Sequence, residues 1–417
     1  MGKSNRNKNK DKDPYIGPAK SGRRDSDSDD SEASGFTYDE DLQSIMGGVE
    51  DMDDSIMGGV EDMDDVYDQL VDSLDKAQEK NAKLRIDGLH RVNLALTAKP
   101  VAEFIARNRE TLMSLCSRID NKPDGEANML VTLVGLVAAQ AGEEISDLIA
   151  EPMAQMRTIL MDASRDLHLR EACATSLTLV TRISCSEDEE VAANVKACRF
   201  AWANTKATSG SAKFIGAALG AWCLLLLDSD AATINGAVAD QPKIVTLLAS
   251  DQLEVRLAAA EALAFLHEFM QDTRPGFRFP NKEHVLDLLD EMVADSSKKK
   301  TKKDKRAQRY AVRDIRSFIA DEDDAPEVCV KIGQQTLSLD SCAIKMFYDV
   351  TCNLFHGGLA QQLMYNEVLR EVFELGPVPL EAEGTINKQT RLAIHDAADK
   401  QRKQARGKQR DKRSAVY

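Results

Sequence analysis

The sequence is short of aromatics, which make up 5% of its 417 residues. Chains built from Val-, Tyr- and Phe-rich strands carry more, so an all-β fold is disfavoured and helices rich in Ala and Leu are expected. CxxC pairs are absent, and the 8 cysteines are scattered. That spacing excludes a zinc finger and a disulfide framework, and free thiols fit a reducing compartment. Long apolar runs are also lacking. The longest uncharged one, residues 214–227, holds 14 residues. A bilayer span needs ~20, so this run reads as a buried helix and no membrane contact is expected. The first 24 residues are basic with no apolar segment behind them, so no secretory leader is expected there. Lys and Arg are missing from residues 25–65, which contain 16 Asp or Glu. The net charge of -15 is therefore concentrated in that tract, and the remainder comes to about +1.

Catalytic signatures are missing as well. Gly2-Lys3-Ser4 resembles a P-loop ending, but the upstream Gly and the preceding strand are not there. GxSxG and HExxH do not occur. The acidic tract fails as a calcium loop, which needs Gly at its sixth position and Glu at its twelfth. Counted from Asp25 those positions are Asp30 and Phe36; counted from Asp51 they are Ile56 and Asp62. His90, His168 and His267 fall within helical segments and are expected at the core or a groove edge. Cys173, Cys185 and Cys198 are expected as small buried residues, and Trp202 and Trp222 as repeat core. No catalytic residue, metal ligand, cofactor or small-molecule substrate is expected.

What the chain does contain is helix after helix. Residues 1–65 have too few large apolar residues to offset ordering entropy and are expected to be disordered. Within them, Ser-Ile-Met-Gly-Gly-Val-Glu-Asp-Met-Asp-Asp occurs twice over 44–65, which reads as a duplication in an unconstrained linker. Beyond this segment, Leu84-Arg85, Leu169-Arg170 and Val255-Arg256 each open an apolar helix behind a polar residue in capping position (Asn81, Asp166, Asp251). Halfway between lie two more helices rich in small and apolar residues, at 127–139 and 212–227. The unit of about 43 residues falls inside the ~40–47 range of HEAT and armadillo repeats. Such helices bury their apolar faces against neighbouring repeats. Pro100, Pro123, Pro152 and Pro242 are expected at helix starts.

The pattern then changes. Residues 295–306 are a basic linker, followed by a helix over 307–319. Val328, Val330 and Ile332 alternate, as do Leu337 and Leu339 across Gly333-Gln334-Gln335, which predicts a short hairpin. A lone hairpin is marginal, so it must pack on helices predicted at 343–355 and 359–374, the second ending at Gly376-Pro377. The expected fold is mainly α: an armadillo/HEAT-like α-solenoid over 66–294, a small α+β C-terminal domain (hairpin plus helices) over 307–380, and a basic C-terminal helix in the tail, 381–417.

The run Asn366-Glu367-Val368-Leu369-Arg370-Glu371-Val372-Phe373-Glu374-Leu375-Gly376-Pro377 resembles the signature of the interferon-related developmental regulator family. The ending Arg406-Gly407-Lys408-Gln409-Arg410-Asp411-Lys412-Arg413 is similar to that family's basic terminus. Residues 308–318, the hairpin, and more loosely the helices from 66 to 294 follow in matching order. The resemblance implies a non-enzymatic regulator. Two roles are attached to the family: binding to ribosomes that are not translating, and transcriptional co-regulation through protein partners.

The residues bear on that choice. The tail after 386 has ten cations against Asp396, Asp399 and Asp411. As a helix it would place Arg402, Arg406, Arg410 and Arg413 within an ~80° arc. Its other cations surround the remaining faces, so it cannot pack in its own domain but could enter a channel walled by phosphate. The residues alone leave a solvated tail or a localisation signal open; the resemblance favours RNA. The RNA contacts are thus expected at Lys400, Arg402, Lys403, Arg406, Lys408, Arg410, Lys412 and Arg413, with ribosomal RNA as partner. The cluster Lys298, Lys299, Lys300, Lys302, Lys303, Lys305 and Arg306 reads first as a nuclear import signal or linker and second as another RNA contact. A cytoplasmic protein is expected, with shuttling to the nucleus as its extension. The alternative is a co-regulator whose solenoid groove holds chromatin or transcription-factor partners.

Overall fold

The computed structural model describes residues 63–185, 187–294 and 302–379, with side chains described for 66–185, 187–294 and 311–379. The expectations for the rest of the N-terminal segment, for residues 295–301 and for the tail from 380 lie outside the described residues. Met63–Ala77, helix α1, begins inside the segment expected to be disordered.

Eleven further helices follow: α2 Ala82–Ala98, α3 Ala102–Leu115, α4 Asp124–Ala141, α5 Ala150–Met161, α6 Leu167–Ser184, α7 Asp188–Asn204, α8 Ala212–Leu225, α9 Ala231–Leu248, α10 Leu253–Thr273, α11 Lys282–Ala294 and α12 Lys302–Ile319. Two of the expected caps are made. The Asn81 side chain accepts from Lys83 N at 3.0 Å and Asp166 accepts from His168 N at 2.9 Å. At α10 the capping position is Gln252 rather than Asp251, and no side chain caps it. Pro123 directly precedes α4, and Pro152 sits in the first turn of α5. Pro242 departs from expectation and lies inside α9, because that helix starts earlier, where Asp230 accepts from Thr233 N at 2.7 Å. Burial of Ala237 before the proline, and of Ile244, Val245 and Leu248 after it, offsets the lost helical hydrogen bond.

The helices form two layers. In the first, α2, α4, α6, α8, α10 and α12 are neighbours in that order; α1, α3, α5, α7, α9 and α11 pack behind them. The first-layer helices from α2 to α10 begin at Ala82, Asp124, Leu167, Ala212 and Leu253, 41 to 45 residues apart. Polar bonds tie successive repeats at the same period. Arg85 Nη2 donates to Glu126 Oε2 at 2.9 Å, Arg165 Nε to Asp124 Oδ1 at 2.6 Å, Arg199 Nη2 to Asp240 Oδ1 at 2.6 Å, and Gln241 Nε2 to Asn281 Oδ1 at 2.9 Å. Trp202 and Trp222 are buried between α7 and α8 with ring centroids 5.4 Å apart, as core residues should be.

After α12 the chain forms a hairpin, β1 Val328–Ile332 and β2 Gln335–Leu339, paired antiparallel with Val330 opposite Leu337. Its loop is two residues, Gly333-Gln334. Gly333 has φ 55, as the first position of such a turn requires. Val330, Ile332, Leu337 and Leu339 all face the core. Helix α13, Cys342–Phe355, follows from a Ser341 cap. The expected single helix over 359–374 is in fact two, α14 Leu359–Tyr365 and α15 Glu367–Val372. Asn366 separates them, and its side chain accepts from Leu369 N at 3.3 Å to start the second. Likewise α12 starts at Lys302, so the last residues of the expected linker, Lys302, Lys303, Lys305 and Arg306, belong to a helix.

Candidate functional site

The hairpin and α13–α15 lie across the first layer of the solenoid. Helix α13 packs on α2, α4, α6, α8 and α10, while α14 reaches α2 and α15 reaches α4. The module thus makes a third layer, and its buried side chains join the same core cluster as those of the repeats. The contact is close enough to exclude a methyl group: a Cβ at Gly358 would stand 2.0 Å from Thr97 O. His356, two residues before, takes φ 44 to bring the chain down onto α2.

A buried polar seam aligns the module. Gln362 Nε2 donates to Leu96 O at 2.9 Å. Gln140 Nε2 shares that carbonyl at 2.7 Å, and its Oε1 accepts from Val101 N at 2.8 Å. Asn366 Nδ2 donates to Ala139 O at 2.9 Å and to Gln362 Oε1 at 3.0 Å. These bonds fill the last carbonyls of α2 and α4, which a helix end leaves without partners. Behind the seam, Arg370 is 1% exposed. Its guanidinium donates to Leu363 O at 2.8 Å, Gly376 O at 2.9 Å, Leu375 O at 3.0 Å, Pro377 O at 2.9 Å and Gln335 Oε1 at 2.9 Å. Burial lowers its pKa below the usual arginine value. The run 366–377 is therefore a structural clasp: it caps α15, closes the chain on Arg370 and docks the module.

At the other end of the seam, Glu268 on α10 accepts from Cys342 N, the start of α13, at 2.9 Å. Burial, with Asp272 nearby, pushes its carboxyl up to about 7. Lys345 bridges Glu261 at 3.0 Å and Asp349 at 3.1 Å. Beside α12, His267 is buried with Nε2 3.2 Å from Asp321 Oδ1, and Asp321 also holds Lys282 at 2.7 Å. Burial lowers the His267 pKa. His267 is a core residue, whereas His90 and His168 stand on the surface. Cys173 and Cys198 are buried; Cys185 is only half-buried. Burial raises the thiol of Cys198 to about 12 and that of Cys173 further, which makes them poor nucleophiles. Among the described residues no group of three or more His, Cys, Asp or Glu could hold a metal ion, and no helix is long and apolar enough to cross a membrane.

Of the residues expected to contact RNA, Lys400, Arg402, Lys403, Arg406, Lys408, Arg410, Lys412 and Arg413 lie outside the described residues, as do Lys298, Lys299 and Lys300. Residue reasoning missed Gln140, Gln362, Glu268 and the docked position of the module. One signal pointed there. In α4, residues 133–139 are all buried, so that helix is covered on every side. A two-layer solenoid leaves one side of such a helix open, and a helix apolar all round needs a third layer.

The fold defines a two-layer helical-repeat protein whose C-terminal module covers its first layer. An interferon-related developmental regulator model matches residues 41–320, and a second model, interferon-related protein conserved region, matches residues 366–414. The chain belongs to the interferon-related developmental regulator family. It is 28% identical over 367 residues to interferon-related developmental regulator 2 of Mus musculus, covering 84% of this chain and 83% of that one. It is 29% identical over 362 residues to interferon-related developmental regulator 1 of Homo sapiens, covering 82% and 80%. Among solved structures, a designed armadillo repeat protein aligns with 58% of this chain and 99% of its own at a TM-score of 0.39 and 16% identity.

Proposed function

We propose that this protein is a non-enzymatic regulator that binds non-translating ribosomes in the cytoplasm and represses translation through its basic C-terminal segment. The observation that carries this reading is the tail itself. Residues 386–417 hold ten cations against three acids, distributed so that no helical face is left apolar. Such a segment suits a phosphate-lined channel, where counterion release supplies much of the affinity. The docked module supports the same reading indirectly. The first-layer face of the solenoid is already covered by α13–α15, so a partner could lie on that face only if the module left it.

The test is sedimentation of cell lysate on a sucrose gradient, comparing the full chain with one ending at Gly384. The full chain should co-sediment with subunits or monosomes, and the shortened one should stay at the top. If the full chain also stays in the soluble fractions at low salt, the ribosome reading fails and nuclear protein partners lead.

A further inference from the structure

The start of the solenoid carries a groove that the C-terminal module does not reach. The module meets α2 at Leu96 and Thr97 and α4 at Ala139, near the ends of both helices. At the opposite edge of the layer, a groove opens between the first turns of α2 and α4 and the loop before α4. Its apolar lining is Ala82, Ile86, Pro123 and Met129, and Ile86 is 38% exposed. Such a lining is surface that a docked segment would remove from water. The charges around it are mostly positive: Arg85, Arg118 and Lys122 line the groove against Glu126 alone. Glu126 is buried, and Arg85 at 2.9 Å and Lys122 at 2.7 Å already neutralise it. Two neighbouring acids are engaged as well, Asp87 with Arg91 and Asp124 with Arg165. Arg118 and Lys83, the residue after Ala82, are exposed and have no acid partner among the described residues. The groove therefore suits a segment that alternates apolar and acidic side chains.

This chain contains such a segment, twice. Residues 44–54 hold Ile45, Met46, Val49 and Met52 together with Glu50, Asp51, Asp53 and Asp54, and no cation. The second copy, 55–65, is committed elsewhere at its end, because Met63–Ala77 is α1. We propose that the groove is the docking site of the first copy, residues 44–54, with residues 55–62 as its tether. The apolar side chains of 44–54 would cover Ile86 and Met129, and its acids would face Arg118 and Lys83. The reach is sufficient. Helix α1 has 15 residues and is ~22 Å long. It packs against α2 across the short connection 78–81, so Ala82 lies near its far end. Eight extended residues span ~26–29 Å, enough to return along α1 to the groove. A tether of that length also holds the segment at an effective concentration of ~1 mM, so a contact that would be weak between separate molecules is largely formed here. The inference is independent of the tail and of any RNA contact.

The test is amide exchange followed by mass spectrometry on four proteins: the natural full chain, a chain lacking only 44–54, the groove variant K83E/R118E, and that variant combined with E50K/D51K. With an intrinsic Kd of ~0.2 mM the tethered segment would be docked in about five molecules of six. Deleting 44–54 should then speed exchange across 82–90 by ~5-fold. The groove variant should exchange as fast there and also lose the protection of 44–54, and the combined variant should regain most of both. Helix content and melting temperature should stay at natural values, since both cations are exposed. Exchange across 82–90 that is unchanged by the deletion would overturn the proposal. Natural protection of 44–54 in K83E/R118E would overturn the placement. Protection of 82–90 that survives the deletion and rises with protein concentration would overturn it in favour of a second copy of the chain.

Discussion

Arg370 is used as a hub of hydrogen bonds more than as a charge. Its guanidinium serves a carbonyl of α14, the carbonyls of Leu375, Gly376 and Pro377 in the segment after α15, and the side chain of Gln335, and none of these partners is a carboxylate. Replacing it strands several buried acceptors at once. Arg370→Met should therefore cost ~4 kcal/mol, since each unmet buried acceptor costs ~1–3 kcal/mol and relaxation recovers part. Urea denaturation checks this; a loss below ~1 kcal/mol would show that the clasp is dispensable. Glu268 makes a different prediction. Its carboxyl is raised from its ordinary 4.5 to about 7, because burial disfavours the charged form. Between those values the folded chain binds the extra proton, so this group's contribution to stability falls as pH rises from about 5 through 7. Glu268→Gln removes that dependence. The difference in unfolding free energy between the natural chain and the variant should drift by ~2 kcal/mol between pH 5 and pH 8, to the natural chain's disadvantage at high pH. A flat difference would mean that Glu268 is solvated.

At the scale of elements, the fit of the module onto α2 depends on one backbone approach. Gly358→Ala would place a methyl 2.0 Å from Thr97 O and 2.8 Å from Thr97 C. Both are backbone atoms at the end of a packed helix, so the module must shift, at a cost of ~3 kcal/mol. Amide exchange should show α13–α15 losing protection before α6 does; unchanged protection in α14 would contradict the close approach. This contact also marks the limit of what the sequence disclosed. The repeats were legible because their signals are local: caps at Asn81 and Asp166, and apolar runs recurring at the same interval. The hairpin was legible from alternation about Gly333. The break at Asn366 was not, because a polar residue in an apolar helical pattern reads as a solvent face until its carboxamide is seen capping Leu369 N. The clasp was recognised as a family signature, yet its physical role depends on residues far away in the chain, such as Ala139 and Gln335. The start of α12 was not legible either, since the lysine-rich residues 295–306 read as a linker and the helix already begins at Lys302.

For the molecule as a whole, the third layer changes what the solenoid is. Repeat arrays bury each unit only against its neighbours, and they can open from the ends unit by unit. Here α13 alone spans five first-layer helices, from α2 to α10. Opening any of those repeats must also strip Leu354, Phe355, Leu359, Leu363, Leu369 or Phe373 from the core they share. Each such side chain represents ~1.5–3 kcal/mol of buried apolar surface. The described repeats and module should therefore unfold as one cooperative unit. Trp202 and Trp222, both in the solenoid, report its packing by fluorescence, and amide exchange in α13 reports the module. The two should give the same transition midpoint and slope in urea. A chain ending at Ala325 should be less stable by about 5 kcal/mol or more, or should bind a hydrophobic dye through its uncovered first layer. Two separated transitions, with α13 exchanging freely while the tryptophans remain buried, would instead describe a module able to leave its groove. That outcome would restore the solenoid face as a place for a partner.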